Sequence, residues 1–259
     1  MPARKTGDWQ VQKANETSSR VVVITGAAGG IGKELTRAFL AQDFKVGAMD
    51  LREPALKTLS DELQSDRLLT IAMDVTKQQE ILDSFRQVIQ RLGQPAVLVN
   101  VAGTNLVQDS LQMTEADWNR ILALNLTGTF FCTQAALPYM LRRSYGRIIN
   151  LSSIFGIRGQ ARQAVYSASK AGVIGLTRAL AVEFADKGIT VNAVAPVATL
   201  TERVRALPKD FLNEQLSHIP MGRFGSTDDV VHTVLFLASE GGSFYTGQTF
   251  SPNGGDTMP

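Results

Sequence analysis

Six short apolar runs separated by segments of helical periodicity constrain this chain more than anything else in it. RVVVITG, KVGAMD, LLTIAMD, AVLVNVAG, GRIINLSS and ITVNAVAP are brief and rich in β-branched residues. Runs without polar alternation belong to strands buried on both faces, as in a parallel sheet. Between them, GKELTRAFLAQ and QQEILDSFRQVIQRL bring apolar residues round every three or four positions, the period of a helix burying one face. Strand and helix in this alternation predict an α/β fold, a single doubly wound parallel sheet with helices on both faces. GQTFSPNGG near the end offers one more strand. No repeat, low-complexity tract or linker divides the chain, so residues 21–259 are expected to form one domain. Residues 1–20, MPARKTGDWQVQKANETSSR, are polar and read as a flexible or loosely docked extension.

The rhythm breaks between Ala198 and Phe224. That stretch has no strand signal, two prolines, and an apolar set of Leu200, Val204, Leu207, Phe211 and Leu212. An insertion after the C-terminal end of a strand falls where open α/β sheets bind ligands. Residues 198–224 are therefore expected to form a helical lid over substrate, with a packed helical hairpin as the plainer alternative.

Composition removes several function classes. A formal net charge of +2 on 259 residues gives no electrostatic argument for nucleic acid or an anionic membrane. A single cysteine, Cys132, allows neither a disulfide framework nor a cysteine metal site, and two histidines make a histidine-rich one an unpromising reading, so no metal is expected. No stretch reads as a membrane span or signal peptide, and a cytoplasmic protein is expected.

The glycine-rich turn TGAAGGIG, Thr25 to Gly32, follows the first strand and opens the first helix. Glycines there allow a tight turn and let backbone N–H groups approach a pyrophosphate at the positive end of a helix. Eighteen residues beyond Gly32 stands Asp50, at the end of KVGAMD. A carboxylate at that place can accept hydrogen bonds from adenosine ribose hydroxyls and repel a 2′-phosphate. Arg52, two residues on, could instead accommodate a phosphate. With no second basic group in the turn, where Gly29 stands, the expected cofactor is NAD, with NADP second. In YSASK, Tyr166 and Lys170 are spaced to share one helix face one turn apart, with only small residues between.

The ordered set of TGxxxGxG, NVAG at Asn100 to Gly103, Ser153 and YSASK resembles the short-chain dehydrogenase/reductase family, from about Val21 to the C-terminus, including members that reduce 3-oxoacyl groups on acyl carrier protein. The resemblance implies a Rossmann-type fold, use of NAD or NADP, alcohol or ketone substrates, and a homotetramer. It implies Tyr166 as general acid/base, Lys170 beside it, Ser153 holding the substrate oxygen, and Asn125 in a proton relay. Gly26, Gly30, Ile31 and Gly32 would meet the cofactor's phosphates and Asp50 its ribose. Asp74 and Val75 would lie by the adenine, and Asn100, Ala102 and Gly103 along the middle. Tyr166 and Lys170 would also touch the cofactor, and Thr199 and Thr201 would contact the nicotinamide amide and phosphates.

The residues support that chemistry on their own terms. A free tyrosine titrates near ~10, too high for a proton carrier at neutral pH, and a nearby ammonium favours the phenolate. A serine hydroxyl can stabilise charge developing on a carbonyl oxygen, though Ser152 competes with Ser153 for that role. Two positions depart from the family pattern. Val101 replaces a frequent second asparagine, and Val197 replaces the glycine usual after Pro196, which puts the placement of Thr199 and Thr201 in question. The expected function is NAD(H)-dependent interconversion of a secondary alcohol and a ketone. The alternatives are an NADPH-dependent 3-oxoacyl (acyl carrier protein or CoA) reductase, to which Arg142, Arg143 and Lys187 speak, and a dinucleotide-sensing binding protein. Arg158 and Arg162 are candidates for an anionic substrate group.

Overall fold

The computed structural model describes residues 20–207 and 209–258. The expected extension lies outside them but for Arg20, as does the side chain of Phe211. Seven strands run parallel in one sheet, in the order β3-β2-β1-β4-β5-β6-β7. They are β1 (Val21–Thr25), β2 (Lys45–Asp50), β3 (Leu68–Ala72), β4 (Val97–Asn100), β5 (Gly146–Leu151), β6 (Ile189–Val194) and β7 (Thr249–Phe250). The seventh run thus forms a two-residue strand paired with Ala193 and Val194.

Alternate residues of each strand face opposite layers, and the two cores follow that alternation. On one face Val21, Val23, Leu98 and Ile148 pack with α3 (Gln78–Arg91), α5 (Gly128–Leu141) and α7 (Ala164–Phe184). On the other, Val22, Ile24, Val97 and Ile149 pack with α1 (Gly30–Ala41), α2 (Glu53–Leu63) and α10 (Thr227–Ala238). Helices cover both faces, as double winding requires. Cys132 lies inside the first core, where burial pushes its thiol up to about 12 and leaves no reactive thiolate at neutral pH.

The chain reverses its direction of winding between β1 and β4, which pair in register from Val22 with Val97 to Thr25 with Asn100. Such a reversal opens a crevice at the carboxyl ends of the strands. Here Thr25 Oγ1 accepts hydrogen bonds from the backbone N–H of Val101 and of Ala102, both at 3.2 Å, tying the two strand ends together. Gly26 follows in the left-handed region at φ +66°, and a Cβ on it would stand 2.8 Å from the Ala102 backbone. Only glycine satisfies both demands.

Residues Glu115–Leu141 form one helical run long and apolar enough to cross a membrane. Its Ile121, Cys132, Ala136 and Met140 are buried, so its apolar character serves the interior of this domain. The run is α4 (Glu115–Leu122), a π-helical stretch Ala123–Thr127, and α5. Single π-turns inside α-helices recur at functional sites. This one carries Asn125.

The irregular region contains α8 (Glu202–Arg205) and α9 (Lys209–Ser217). Its two ends meet in an isolated bridge between Thr199 and Gly225, with Leu200 N donating to Gly225 O and Gly225 N to Ala198 O. Val197 takes no positive φ and packs with Ile154 and Ile219, so the β-branched residue is accommodated as a core contact.

Phe39 of α1 is fully buried and meets Phe44 edge-on at 5.1 Å between ring centroids. Phe39→Ala should cost about 3–5 kcal/mol, the usual range for a fully buried phenylalanine. Urea unfolding checks this; a loss below about 1 kcal/mol would mean that the α1 layer relaxes around the cavity.

Candidate functional site

A groove of about 1030 Å³ runs along the carboxyl ends of the strands over the β1–β4 crossover. Of the residues expected at a cofactor, Gly26, Gly30, Ile31, Gly32, Asp50, Asp74, Val75, Ala102, Gly103 and Thr201 all line it. The turn is shaped by contacts that leave no room for side chains. A Cβ on Gly32 would collide with the backbone of Gly26 and Ala27, and one on Gly30 with the side chain of Thr201. The N-terminus of α1 is therefore bare backbone facing the groove, the arrangement that receives a phosphate group.

Four expected residues do not line it: Asn100, Thr199, Tyr166 and Lys170. Asn100 is buried beneath the groove, where its amide donates to Thr133 Oγ1 at 3.1 Å and Asn150 Oδ1 at 2.9 Å. Thr199 is buried with its hydroxyl donating to Val197 O at 3.0 Å. Both support the groove from behind.

Beyond the far end of the groove stands the tyrosine–lysine helix. Lys170 is 4% exposed, and its Nζ donates to Leu151 O at 2.6 Å and lies 5.9 Å from the Tyr166 ring centroid. A Cβ on Gly103 would sit 3.3 Å from that Nζ and 3.1 Å from Asn125 Oδ1, so the groove's edge touches both residues. Asn125 is fully buried; its Oδ1 accepts from Thr104 N at 2.9 Å, and its Nδ2 donates to Thr104 O at 3.0 Å and Ser169 Oγ at 2.9 Å. Ser169 Oγ in turn donates to Tyr166 O at 2.7 Å. Ser169 reads in the sequence as a small spacer, yet it joins Asn125 to the backbone of Tyr166. Nothing in its spacing marks that role, which rests on a buried hydrogen bond.

The two serines after β5 divide their roles. Ser152 Oγ donates to Lys170 O at 2.9 Å, fastening the strand to α7. Ser153 Oγ accepts from Phe155 N at 3.2 Å, at the start of the short helix α6 (Phe155–Arg158). Arg142, Arg143 and Lys187 do not join this site. Arg143 reaches Gln94, just before β4, and Lys187 just precedes β6, so all three lie at the amino edge of the sheet, opposite the groove. Arg158 is engaged by Asp256 at 2.8 Å, and Arg162 is exposed in the loop before α7.

The groove also holds Lys33, Thr58, Glu62 and Arg205, none assigned to it by motif, and Arg52, which the sequence offers as a partner for a phosphate. Arg52 matters most. Asp50 is 7% exposed, and its carboxylate accepts from Ala28 N at 3.0 Å, Arg52 N at 3.0 Å, Arg52 Nε at 3.1 Å and the second Arg52 guanidinium nitrogen at 3.3 Å. Its charge is matched and its oxygens are occupied. The Arg52 side chain remains 58% exposed and stands 3.9 Å from where a Cβ on Gly29 would be. The guanidinium therefore lies over the glycine-rich turn.

Together the sheet, the groove and the bare helix N-terminus form the crevice in which doubly wound α/β folds bind ligands. Residues 26–257 match a family model described as enoyl-(acyl carrier protein) reductase. The chain is 40% identical over 240 residues to 3-oxoacyl-[acyl-carrier-protein] reductase FabG of Thermotoga maritima, covering 91% of this chain and 97% of that protein. It is 42% identical over 241 residues to acetoacetyl-CoA reductase of Shinella zoogloeoides, covering 92% and 98%. The solved structure of ElxO with NADP bound superposes with a TM-score of 0.87 at 34% identity, over 92% of this chain and 99% of that one. The chain belongs to the short-chain dehydrogenase/reductase family, NAD(P)-dependent enzymes acting on CH–OH and C=O groups.

The expectation of NAD is corrected by these findings. It treated Asp50 as a carboxylate free to repel a 2′-phosphate, whereas a structural neighbour with the same fold carries NADP. The physical reason is visible in this chain: Asp50 is neutralised by Arg52 and fastened to Ala28.

Burial lowers the Lys170 ammonium from 10.5 to about 8. Between that value and an unfolded value near ~10.4, the unfolded chain holds the proton that the folded chain has released. Stability from this residue should therefore rise with pH across that window. In urea titrations without cofactor, the parent should gain on Lys170→Met by about 1 kcal/mol per pH unit from roughly pH 8 to 10. A difference that stays flat or moves the other way would show that Lys170 is not desolvated.

Proposed function

We propose that this chain is a cytoplasmic NADPH-dependent reductase of 3-oxoacyl thioesters, carried on CoA or on an acyl carrier protein. What carries the reading is the pair of relatives, each aligned over nearly its whole length and each named for reducing a 3-oxoacyl thioester. It replaces the broader alcohol–ketone reading with one of that reading's stated alternatives. A dinucleotide sensor without chemistry is disfavoured, because it needs neither Tyr166 nor the network that holds it.

The glycine turn fits the cofactor's diphosphate, since every position where a side chain would block the backbone is glycine. Gly26, Gly30, Ile31 and Gly32 would meet the phosphates, Asp74 and Val75 the adenine, Ala102 and Gly103 the cofactor's middle, and Thr201, whose side chain closes on Gly30, the nicotinamide amide and phosphates. Arg52 is the group to meet a 2′-phosphate, with Asp50 holding the guanidinium in place. When bound, the dinucleotide supplies a hydride to the carbonyl carbon.

The protein's own residues manage the oxygen. Ser153 accepts from Phe155 N, which leaves its hydroxyl proton to donate to the substrate oxygen as negative charge develops there. Tyr166 gives the proton that completes the alcohol. Lys170 stabilises the resulting phenolate and is held on Leu151 O. Asn125 and Ser169 fix the helix turn that carries Tyr166, so acid and oxygen stay aligned. Residues 198–224 would close over the substrate as a lid, and residues 21–259 act as one domain. A homotetramer is part of the proposal, with Phe244, Tyr245 and Val182 as large exposed apolar residues for the contacts. Sedimentation giving a monomer at micromolar concentration would oppose it.

Tyr166→Phe should lower kcat for acetoacetyl-CoA reduction by about 10²–10⁴-fold while NADPH binding, followed by fluorescence, stays within about twofold. A loss below about tenfold would remove Tyr166 from the proton's path. Arg52→Ala should raise the NADPH KM by roughly 10-fold or more and leave NADH little changed, since one charge-assisted contact is worth about 1.5–3 kcal/mol. Equal effects on both cofactors would place the guanidinium away from the 2′-phosphate.

A further inference from the structure

Residues 251–258 turn back past the end of β6 and against α6. Ser251 Oγ donates to Ala195 O at 2.7 Å, and Asn253, 7% exposed, knots the turn beyond it. Asn253 Nδ2 donates to Ser251 Oγ at 3.0 Å and Thr257 O at 2.6 Å, while its Oδ1 accepts from Gly255 N at 2.9 Å. Gly254 and Gly255 take φ of +60° and +92°, and Cβ atoms there would press on Ile219 at 2.8 Å and Pro220 at 3.0 Å. Met221 N donates to Gly254 O at 3.1 Å. The turn is thus seated on the end of the irregular 198–224 region.

Its other side meets α6. Arg158 Nε donates to Asp256 Oδ1 at 2.8 Å, and a second guanidinium nitrogen approaches Oδ2 at 3.5 Å. The Asp256 side chain is 2% exposed, although it stands two residues before the last described position. A carboxylate taken out of water this far needs its partner, and removing one member of such a pair leaves an uncompensated charge. The Arg158 guanidinium also lies 5.0 Å from the Phe155 ring centroid, and Phe155 N is the donor to Ser153 Oγ. One connected path therefore runs from Ser153 through Phe155, Arg158 and Asp256 to Gly254 and Met221.

We infer that the C-terminal turn is a brace that holds the Ser153 loop and the end of the 198–224 region in register, with Arg158 and Asp256 as positioning residues for turnover. The inference rests on the proposed role of Ser153 at the substrate oxygen. Arg158 is then a fastener of the site wall, which removes it as a candidate for an anionic substrate group. Neither residue lines the dinucleotide groove, so the brace acts on the substrate half alone.

A double-mutant cycle on the full-length chain tests this. Arg158→Gln, Asp256→Asn and the two combined are assayed for acetoacetyl-CoA kinetics and for NADPH affinity by fluorescence, well below their melting temperatures. Each single change should lower kcat/KM by about tenfold or more, the double should lose no more than the worse single, and NADPH affinity should stay within about twofold. Arg158→Lys, which keeps the charge and loses the fork, should recover part of the loss and serves if Asp256→Asn does not fold. Values of kcat/KM within twofold of the parent, losses that multiply in the double variant, or an equal fall in NADPH affinity would each overturn the brace. Ser153→Ala is measured alongside. Full activity in that variant would refute the role of Ser153, while the coupling of Arg158 with Asp256 is read from its own cycle.

Discussion

The close meeting of β1 and β4 at their carboxyl ends is the constraint on which the site depends. Thr25 Oγ1 holds two backbone N–H groups of the β4 exit, and Gly26 lets that backbone come within van der Waals contact. Because the strands are pinned there, the chain must diverge immediately beyond, one branch into α1 and the other along Ala102 and Gly103. The groove is that divergence. The N-terminus of α1 opens on one side of it, and the Gly103 backbone passes beside Lys170 on the other.

At the substrate end, the design is a polar network closed on backbone. Lys170 Nζ donates to the main-chain carbonyl of Leu151, and Asn125 is satisfied by both backbone groups of Thr104 and by Ser169. Desolvation keeps the lysine's affinity for its proton low. An ammonium poised in this way is a responsive neighbour for a phenol. The π-turn at Ala123–Thr127 carries Asn125, fully buried against Thr104 and Ser169, while Ile121 one turn earlier packs as core.

How much of this could be read in advance follows from how local each constraint is. β1, β2, β5 and β6 announced themselves because burial on both faces restricts residue type over five or six consecutive positions. The glycine turn was legible for the same reason, since a close approach excludes every side chain at a fixed spacing. Asp50 was found but misjudged. Its motif position is a matter of sequence, whereas the pairing of its carboxylate in the groove depends on where Arg52 turns, and rotamers leave no trace in residue order. Asn100 ends β4 but turns its amide to Thr133 and Asn150, and Thr199, in the loop beyond β6, turns its hydroxyl back on Val197 O; neither side-chain direction is written in the sequence. Ser169 and Asp256 could not be found by spacing at all. One acts through a buried hydrogen bond, and the other meets Arg158 from 98 positions away.

The central claim is reduction of a 3-oxoacyl thioester by a reduced dinucleotide carrying a 2′-phosphate. Its most direct test is product analysis of the purified parent chain given acetoacetyl-CoA with NADPH, and in parallel with simple ketones of matched chain length. The account predicts one 3-hydroxyacyl thioester formed per NADPH consumed, with kcat/KM for the thioester at least about a hundredfold above that for the ketones, equivalent to roughly 2.7 kcal/mol. Turnover of the simple ketones with no reduction of the thioester would contradict it.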